Sequence, residues 1–318
     1  MDSLVRNITV IPYSDAWRKV WNDIVDSSRN GTFMHRREYV EYHRDRFTDC
    51  SLLALRADKP VAVLPANRVG STLFSHQGLT FGGWISLAKE VDMLSMLGIF
   101  DATASFARAN DICRIVYKPV PHIYCRYPAE EDLYALFRCN ARLIASNVST
   151  AIPLSSPLAF NQNARRGVKK ALDEGISVTE TNDFAPFWQL LSELLTERYD
   201  TLPVHSLDEI RLLKSLFPSN IRLFTASIND EPIAGVVIYD SGTVAHAQYI
   251  AANARGKQLH ALPLVFSHLI SNVFASRHYF DFGTSNENNG TYLNEGLVRQ
   301  KTGMGGRAVV YNTYEFSI

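Results

Sequence analysis

Residues able to do chemistry crowd toward the C-terminal end of this sequence. Between Tyr279 and Gly306, a short apolar run, Tyr279 to Phe282, carries Asp281 and stops at Gly283. Ser285, Asn286 and Asn294 follow in a polar stretch, and then a lone cation, Lys301, stands among apolar residues and glycines. A strand that ends at glycine and gives way to a polar loop is a common way to build a site at a sheet edge. Glycine permits backbone conformations and close approaches that other residues resist. A carboxylate at such a strand end could orient or deprotonate an amine nucleophile, and the amides could bind sugar hydroxyls or a donor. The same residue types also serve as ordinary turn and cap formers.

A second set is basic. Asn161-Gln-Asn-Ala-Arg165-Arg166-Gly-Val-Lys169-Lys170 reads as a capped helix start, with Asn161 or Asn163 as the cap. Arg165 and Lys169 lie one turn apart, as do Arg166 and Lys170. Cations so close together repel one another unless an anion compensates, which suits the phosphate or diphosphate of an acceptor; a solvated basic face suits them equally. The histidines supply candidate general bases. His76, in Ser75-His76-Gln77-Gly78, and His122, just after Lys118, stand near the ends of two expected strands. If those ends splay apart, the two rings meet in one cleft, with Gln77 and Lys118 as further substrate contacts; a core role for His76 is the competing reading. His43 and Arg46 fall on one expected helix face and could bind acceptor phosphate. The histidines are too scattered for a metal site, and no serine or cysteine sits in a nucleophile motif.

These residues need elements to position them, and an internal echo supplies a plan. Leu52 to Gly70 and Leu223 to Gly242 each give an apolar strand, a polar turn ending in proline, a second strand opening Val-Ala or Ile-Ala, and a turn at glycine. A third apolar segment follows each, Leu73 to Leu79 and Val244 to Ile250, so one three-strand meander is expected twice. Helical spacing precedes the first meander at Asp15 to Ser27 and Glu38 to Phe47. It precedes the second at Phe184 to Tyr199 and Ser206 to Leu216. A helix and a closing strand follow each: Ala88 to Asn110 with Ile112 to Tyr117, then Ala261 to Ser276 with Tyr279 to Phe282. The expected fold class is α/β (α+β), two related units, each a mixed, largely antiparallel sheet flanked by helices. The expected domains are 1–152 and 153–318, divided where proline and serine cluster near Pro153 to Pro157.

Composition narrows the function. The chain has 318 residues, 46% hydrophobic and 20% charged, with Lys plus Arg equal to Asp plus Glu at 32 each. That balance fits a globular protein and argues against a general nucleic-acid binder, DNA included, while leaving room for a local basic patch. The four cysteines lack paired spacing and predict reduced thiols in a cytosol. Met1 to Pro12 is too short and polar for a signal peptide, and no apolar run approaches the roughly 20 residues of a membrane span.

The second unit resembles a GNAT-type acyltransferase. The family's Arg-Gly-Lys-Gly-x-Gly loop, whose amides bind the coenzyme A pyrophosphate, corresponds here to Arg255-Gly256-Lys257-Gln258-Leu259-His260. The first three residues agree; Gln258 and His260 replace small residues. Two such units in one chain, a basic helix opening the second and Asp-Phe-Gly, Gly-Leu and Lys-x-x-x-Gly closing it, resemble the FemAB-like superfamily. The resemblance implies an N-acyltransferase taking an acyl group, acetyl above all, from acyl-CoA to an amine on a sugar nucleotide or envelope precursor. It implies a donor site at Arg255, Gly256, Lys257 and Gln258 in the second domain, with the first domain structural and acceptor-binding. Lys301 falls where Fem-type enzymes hold a lysine at the reaction centre, and a fixed ammonium there could stabilise an oxyanion. Asp281 or a histidine, His76 foremost, would then take the proton, and Arg165, Lys169, Ser285 and Asn294 would hold the acceptor. Aminoacyl-tRNA is the alternative donor, although the chain lacks the heptad-rich hairpin that Fem-type ligases often use for tRNA. A non-catalytic binding protein on the same scaffold is a third possibility. No metal is expected, and a monomer or a homodimer is equally compatible.

Overall fold

The computed structural model describes residues 7–318, so the first six residues of the polar N-terminal stretch lie outside it. The chain forms two compact units. One comprises the residues up to Asn147 together with Asn288–Thr291 and Val310–Ile318; the other comprises Val148–Glu287 and Tyr292–Val309.

The first unit pairs strands β1 (Ile8–Pro12), β2 (Leu52–Arg56), β3 (Lys59–Leu64) and β6 (Ile85–Ser86) in that order. Helices α1 (Arg18–Ser27) and α2 (Arg37–Glu41) precede β2. A hairpin of β4 (Asn67–Val69) and β5 (Thr72–Phe74) runs parallel, through β5, to β7 (Arg114–Tyr117). The connection is α3 (Met93–Ala109), capped by Asp92. Helix α4 (Glu131–Arg138) follows. The expected three-strand meander therefore holds only for β2 and β3. The third segment leaves that sheet, and β3 takes β6 as its other neighbour. His76, at φ +62°, turns the chain in the left-handed region and ends the strand expected to reach Leu79.

The first unit also buries a carboxyl group. Tyr117 donates to Asp132 Oδ2 at 2.9 Å and accepts from the Trp84 amide at 2.7 Å. Burial pushes the Asp132 carboxyl up to about 7. A carboxyl whose pKa is raised on folding adds stability below its unfolded value of 3.8, and that stability is lost as pH rises through about 7. The unfolding free energy should fall across this window by up to roughly 1.4 kcal/mol per pH unit. Urea titrations at pH 5 and pH 8 check this: Asp132→Asn should shrink the difference between the two pH values, and an unchanged difference contradicts it.

The second unit opens with the end of β8 (Arg142–Pro153) and α5 (Gln162–Asp173), which Asn161 caps by accepting from the Ala164 amide. Strand β9 (Ser177–Thr181) and helices α6 (Ala185–Tyr199) and α7 (Leu207–Leu216) lead into a true meander. This is β10 (Ile221–Ile228), β11 (Glu231–Asp240) and β12 (Val244–Ala252), antiparallel throughout. A short helix α8 (Ala254–Gln258), α9 (Ala261–His268) and a π-helical turn at Leu269–Val273 return the chain to β13 (Tyr279–Thr284). Strand β13 runs parallel to β12 and antiparallel to β8. The hairpin β14 (Asn286–Glu287) and β15 (Tyr292–Leu293), helix α10 (Glu295–Gly303) and β16 (Arg307–Ser317) complete the chain. The two units thus share one device, a strand crossing over through a helix to a parallel strand: β5 to β7 and β12 to β13. The core of the second unit is aliphatic and aromatic, with Val265, Phe266 and Leu269 packed on Ala245, Ala247, Phe280 and Phe282. No helix among the described residues is long and apolar enough to cross a membrane.

Candidate functional site

The parallel pairing of β12 with β13 runs Val244–Tyr279, Ala245–Phe280, His246–Asp281, and stops there. Side chains alternate along a strand. Ala245, Ala247, Phe280 and Phe282 face the α9 core, so His246 and Asp281 stand together on the opposite face. That is the side on which Trp188 of α6 packs edge-on against Tyr249 of β12, with centroids 5.0 Å apart. Asp281 is fully buried. Its Oδ1 accepts from the Ser149 hydroxyl and from the Gly283 amide (3.0 Å), and its Oδ2 lies 3.0 Å from His246 Nδ1. An ionised carboxylate only accepts, so Nδ1 is the donor of this bond. Just beyond, Ile238 pairs with Ala247 and Val237 with Tyr249, leaving Gln248 as an extra residue in a β-bulge. Bulges re-aim side chains and interrupt the ladder next to sites.

Lys301 lies on α10, which Asn294 caps by accepting from the Leu297 amide at 3.1 Å. The ammonium is buried and donates to Gly283 O (2.8 Å), Thr284 O (2.8 Å) and Ser285 Oγ (2.9 Å). Burial draws its pKa down to about 8, against the pull of Asp281. An ammonium has three N–H donors, and here each has a protein acceptor. The oxyanion role expected of Lys301 has no donor left to serve it. The arrangement makes it the peg that holds residues 283–285, the segment whose glycine amide supports Asp281. Ser285, expected at a substrate, is buried as the acceptor of Lys301.

A cavity of about 510 Å³ opens in this unit. Asn161, Asn163 and Ala164 from the start of α5 line it, with Gly256 and Lys257 of α8, His260, and Arg299, Gln300 and Gly303 of α10. The first turn of α5 presents amides and the positive end of a helix dipole, and Lys257 and Arg299 add two cations to the same wall. Glycine is required at 256, and at 303 it spares the capping Asn161 a contact. A Cβ on Gly256 would lie 2.2 Å from Ile233 O, and one on Gly303 would lie 2.7 Å from Asn161 Nδ2. Of the four expected donor residues, Gly256 and Lys257 reach the cavity. Arg255 turns outward to Glu231 at 3.8 Å. Gln258 also stays exposed outside the wall, its carbonyl accepting from Lys170 at 3.1 Å, so its side chain does not crowd the cavity. His260 does form part of the wall. A second cavity of about 370 Å³ is lined by Arg198, Asn294, Gly296, Leu297 and Gln300, so Gln300 belongs to both.

The residues expected to act from the first unit do not assemble. His76 is buried against His43 and Phe47, with ring centroids 5.3 and 5.2 Å away. Burial, then the charge of His43, lowers its pKa to about 3. It is a core histidine, out of reach of a substrate. His122 is exposed on the turn His122–Tyr124, and no hydrogen bond or ring contact joins it to His76 among the described residues. Helix α2 ends at Glu41, so His43 and Arg46 share no helix face: His43 is buried and Arg46 exposed. Gln77 is tied to Asn67 by two 2.8 Å bonds, and Lys118 donates to Leu79 O. On α5, Arg165 and Lys169 are exposed and lie outside both cavities. His246 was not among the expected residues; only its register opposite Asp281 marks it, and that register belongs to the folded sheet.

Residues 159–292 match the acetyltransferase (GNAT) domain family. No curated protein sequence matches the chain. Among solved structures, the fold is similar to that of FemX, at 11% identity and a TM-score of 0.69, covering 97% of each chain. It is also similar to the C-terminal domain (DUF2156) of a putative lysylphosphatidylglycerol synthetase from Agrobacterium fabrum. That likeness has 10% identity and a TM-score of 0.62, covering 95% of this chain and 92% of that one. A third likeness is to L-PGS from Bacillus licheniformis, at 11% identity and a TM-score of 0.61, covering 93% and 90%. The expected α/β fold of GNAT type is borne out by this match and these folds.

Proposed function

We propose that this chain, an acyltransferase whose GNAT domain spans residues 159–292, moves an acyl group from acyl-CoA to an amine by direct attack. The larger cavity would take the phosphates of the donor against Lys257, Arg299 and the first turn of α5. The observation that carries the chemistry is the relay from Ser149 through Asp281 to His246, at the point where β12 and β13 stop pairing. His246 Nε2 takes the proton of the amine as its nitrogen attacks the thioester carbonyl. A C–N bond forms, the C–S bond breaks, and coenzyme A leaves as the thiolate. The backbone N–H at the Gln248 bulge is the donor we assign to the oxyanion. The acceptor class we infer is an amino sugar on a nucleotide or lipid carrier. Lys301 supports this centre through residues 283–285 instead of touching the reacting atoms.

Binding of the donor is the first test. Acetyl-CoA at a hundred times its Kd should stabilise the fold by about 2.7 kcal/mol through mass action. Lys257→Glu, which places a negative charge on the cavity wall, should remove most of that shift. A melting temperature that acetyl-CoA leaves unmoved speaks against the reading. One observation favours a second donor, an aminoacyl-tRNA: Arg165, Arg166 and Lys169 stay exposed along α5 with no carboxylate partner among the described residues. Such a row suits a polyanion. Transfer that requires charged tRNA and ignores acetyl-CoA would select it.

A further inference from the structure

We propose that the smaller cavity binds an acidic group of the acyl acceptor, with Arg198 as its counter-charge; this rests on the acyl-transfer reading above. Helix α6 packs on the side of β12 that carries His246 and Asp281, through Trp188 and Tyr249. Arg198 stands in the last turn of this same helix and lines the cavity of about 370 Å³. No carboxylate among the described residues pairs with it. The acidic residue nearest the cavity on α10, Glu295, is held by Arg299 at 3.2 Å. Asn294 commits its carbonyl to the Leu297 amide and its nitrogen to Glu287. Among the described residues, the lining side chains left to meet a ligand are one guanidinium, the Gln300 carboxamide and the apolar edge of Leu297. A cation with neutral polar company, and no acid in the wall among the described residues, selects an oxyanion, which a guanidinium can bind through two parallel hydrogen bonds. Gln300 lines both cavities, so an acceptor anchored at Arg198 shares a wall with the donor. The acceptor is therefore an amine that also carries a carboxylate or a phosphate.

Two matched pairs of amines test this by calorimetry and by acetyl transfer: glucosamine 6-phosphate against glucosamine, and glutamate against glutamine. The acidic member of at least one pair should bind about tenfold or more tightly than its neutral partner, since a charge-assisted bidentate contact is worth at least that factor. Response in the first pair assigns a phosphate and response in the second a carboxylate. Arg198→Ala should level the responding pair, and Arg198→Lys should keep part of the preference. Arg198 is exposed, so neither change threatens the fold. Equal binding within both pairs, or a preference that survives Arg198→Ala, overturns the proposal. Because the calorimetry needs no donor, a preference without any acetyl transfer would count against the acyl-CoA reading alone. Transfer without a preference would count against the anion site alone.

Discussion

His246→Ala should lower kcat for acyl transfer by about 100- to 10,000-fold, the usual range for removing a positioned general base, while acetyl-CoA affinity changes little. The ring stands on the α6 side of β12 and lines neither cavity, so its loss should leave donor contacts in place. Asp281→Asn should approach the same loss by a different route. A carboxamide can turn its N–H₂ toward Nδ1, which would move the ring proton to Nε2 and leave no lone pair for the amine. Ser149→Ala should cost less, because the Gly283 amide still supports the carboxylate. The measurement is steady-state kinetics with acetyl-CoA saturating and thiol release as the readout. An alanine variant within tenfold of wild type would remove His246 from the chemistry.

Lys301→Met should unfold the second unit more readily, by about 3–5 kcal/mol. The substitution keeps the apolar stem and deletes the ammonium, leaving two carbonyl oxygens and a hydroxyl without their donor in a buried place. Urea titration reads the loss directly. Its second consequence separates two roles for the same residue. If Lys301 holds the 283–285 segment, the fall in activity should follow the fall in stability and be eased by ligands that stabilise the fold. A variant with wild-type stability and a 100- to 1,000-fold lower kcat would restore the oxyanion role.

Much of the second unit could be read from residue types alone. Its meander announces itself through Asn229-Asp230 and Gly242, which fall where the turns form, and Asn161 caps the helix expected to follow it. Asp281 was legible as a carboxylate at a strand end. Its partner was not, because 35 positions separate it from His246 and only parallel pairing sets the two abreast. Lys301 looked catalytic for a sound reason, a cation amid glycines. Where its three protons go depends on the loop folding back beneath it, which spacing cannot show. In the first unit, the apolar pattern from Glu38 to Phe47 suggested one continuous helix. The structure breaks it at Glu41 and folds Tyr42, His43 and Phe47 into an aromatic cluster with His76. Periodicity reports that such rings are buried but does not say whether a helix or a turn buries them. The neutral total charge likewise hides the basic row on α5, since a sum carries no direction.

The most direct trial of the account is a transfer reaction followed by mass spectrometry. Purified protein, acetyl-CoA and phosphorylated and unphosphorylated amino sugars are mixed, and product, free coenzyme A and intact protein are weighed together. Direct attack predicts N-acetylated amine and coenzyme A in equal amounts, an unmodified protein mass, and near-silence with His246→Ala. An acetylated protein, or product that forms only when charged tRNA replaces acetyl-CoA, would contradict it.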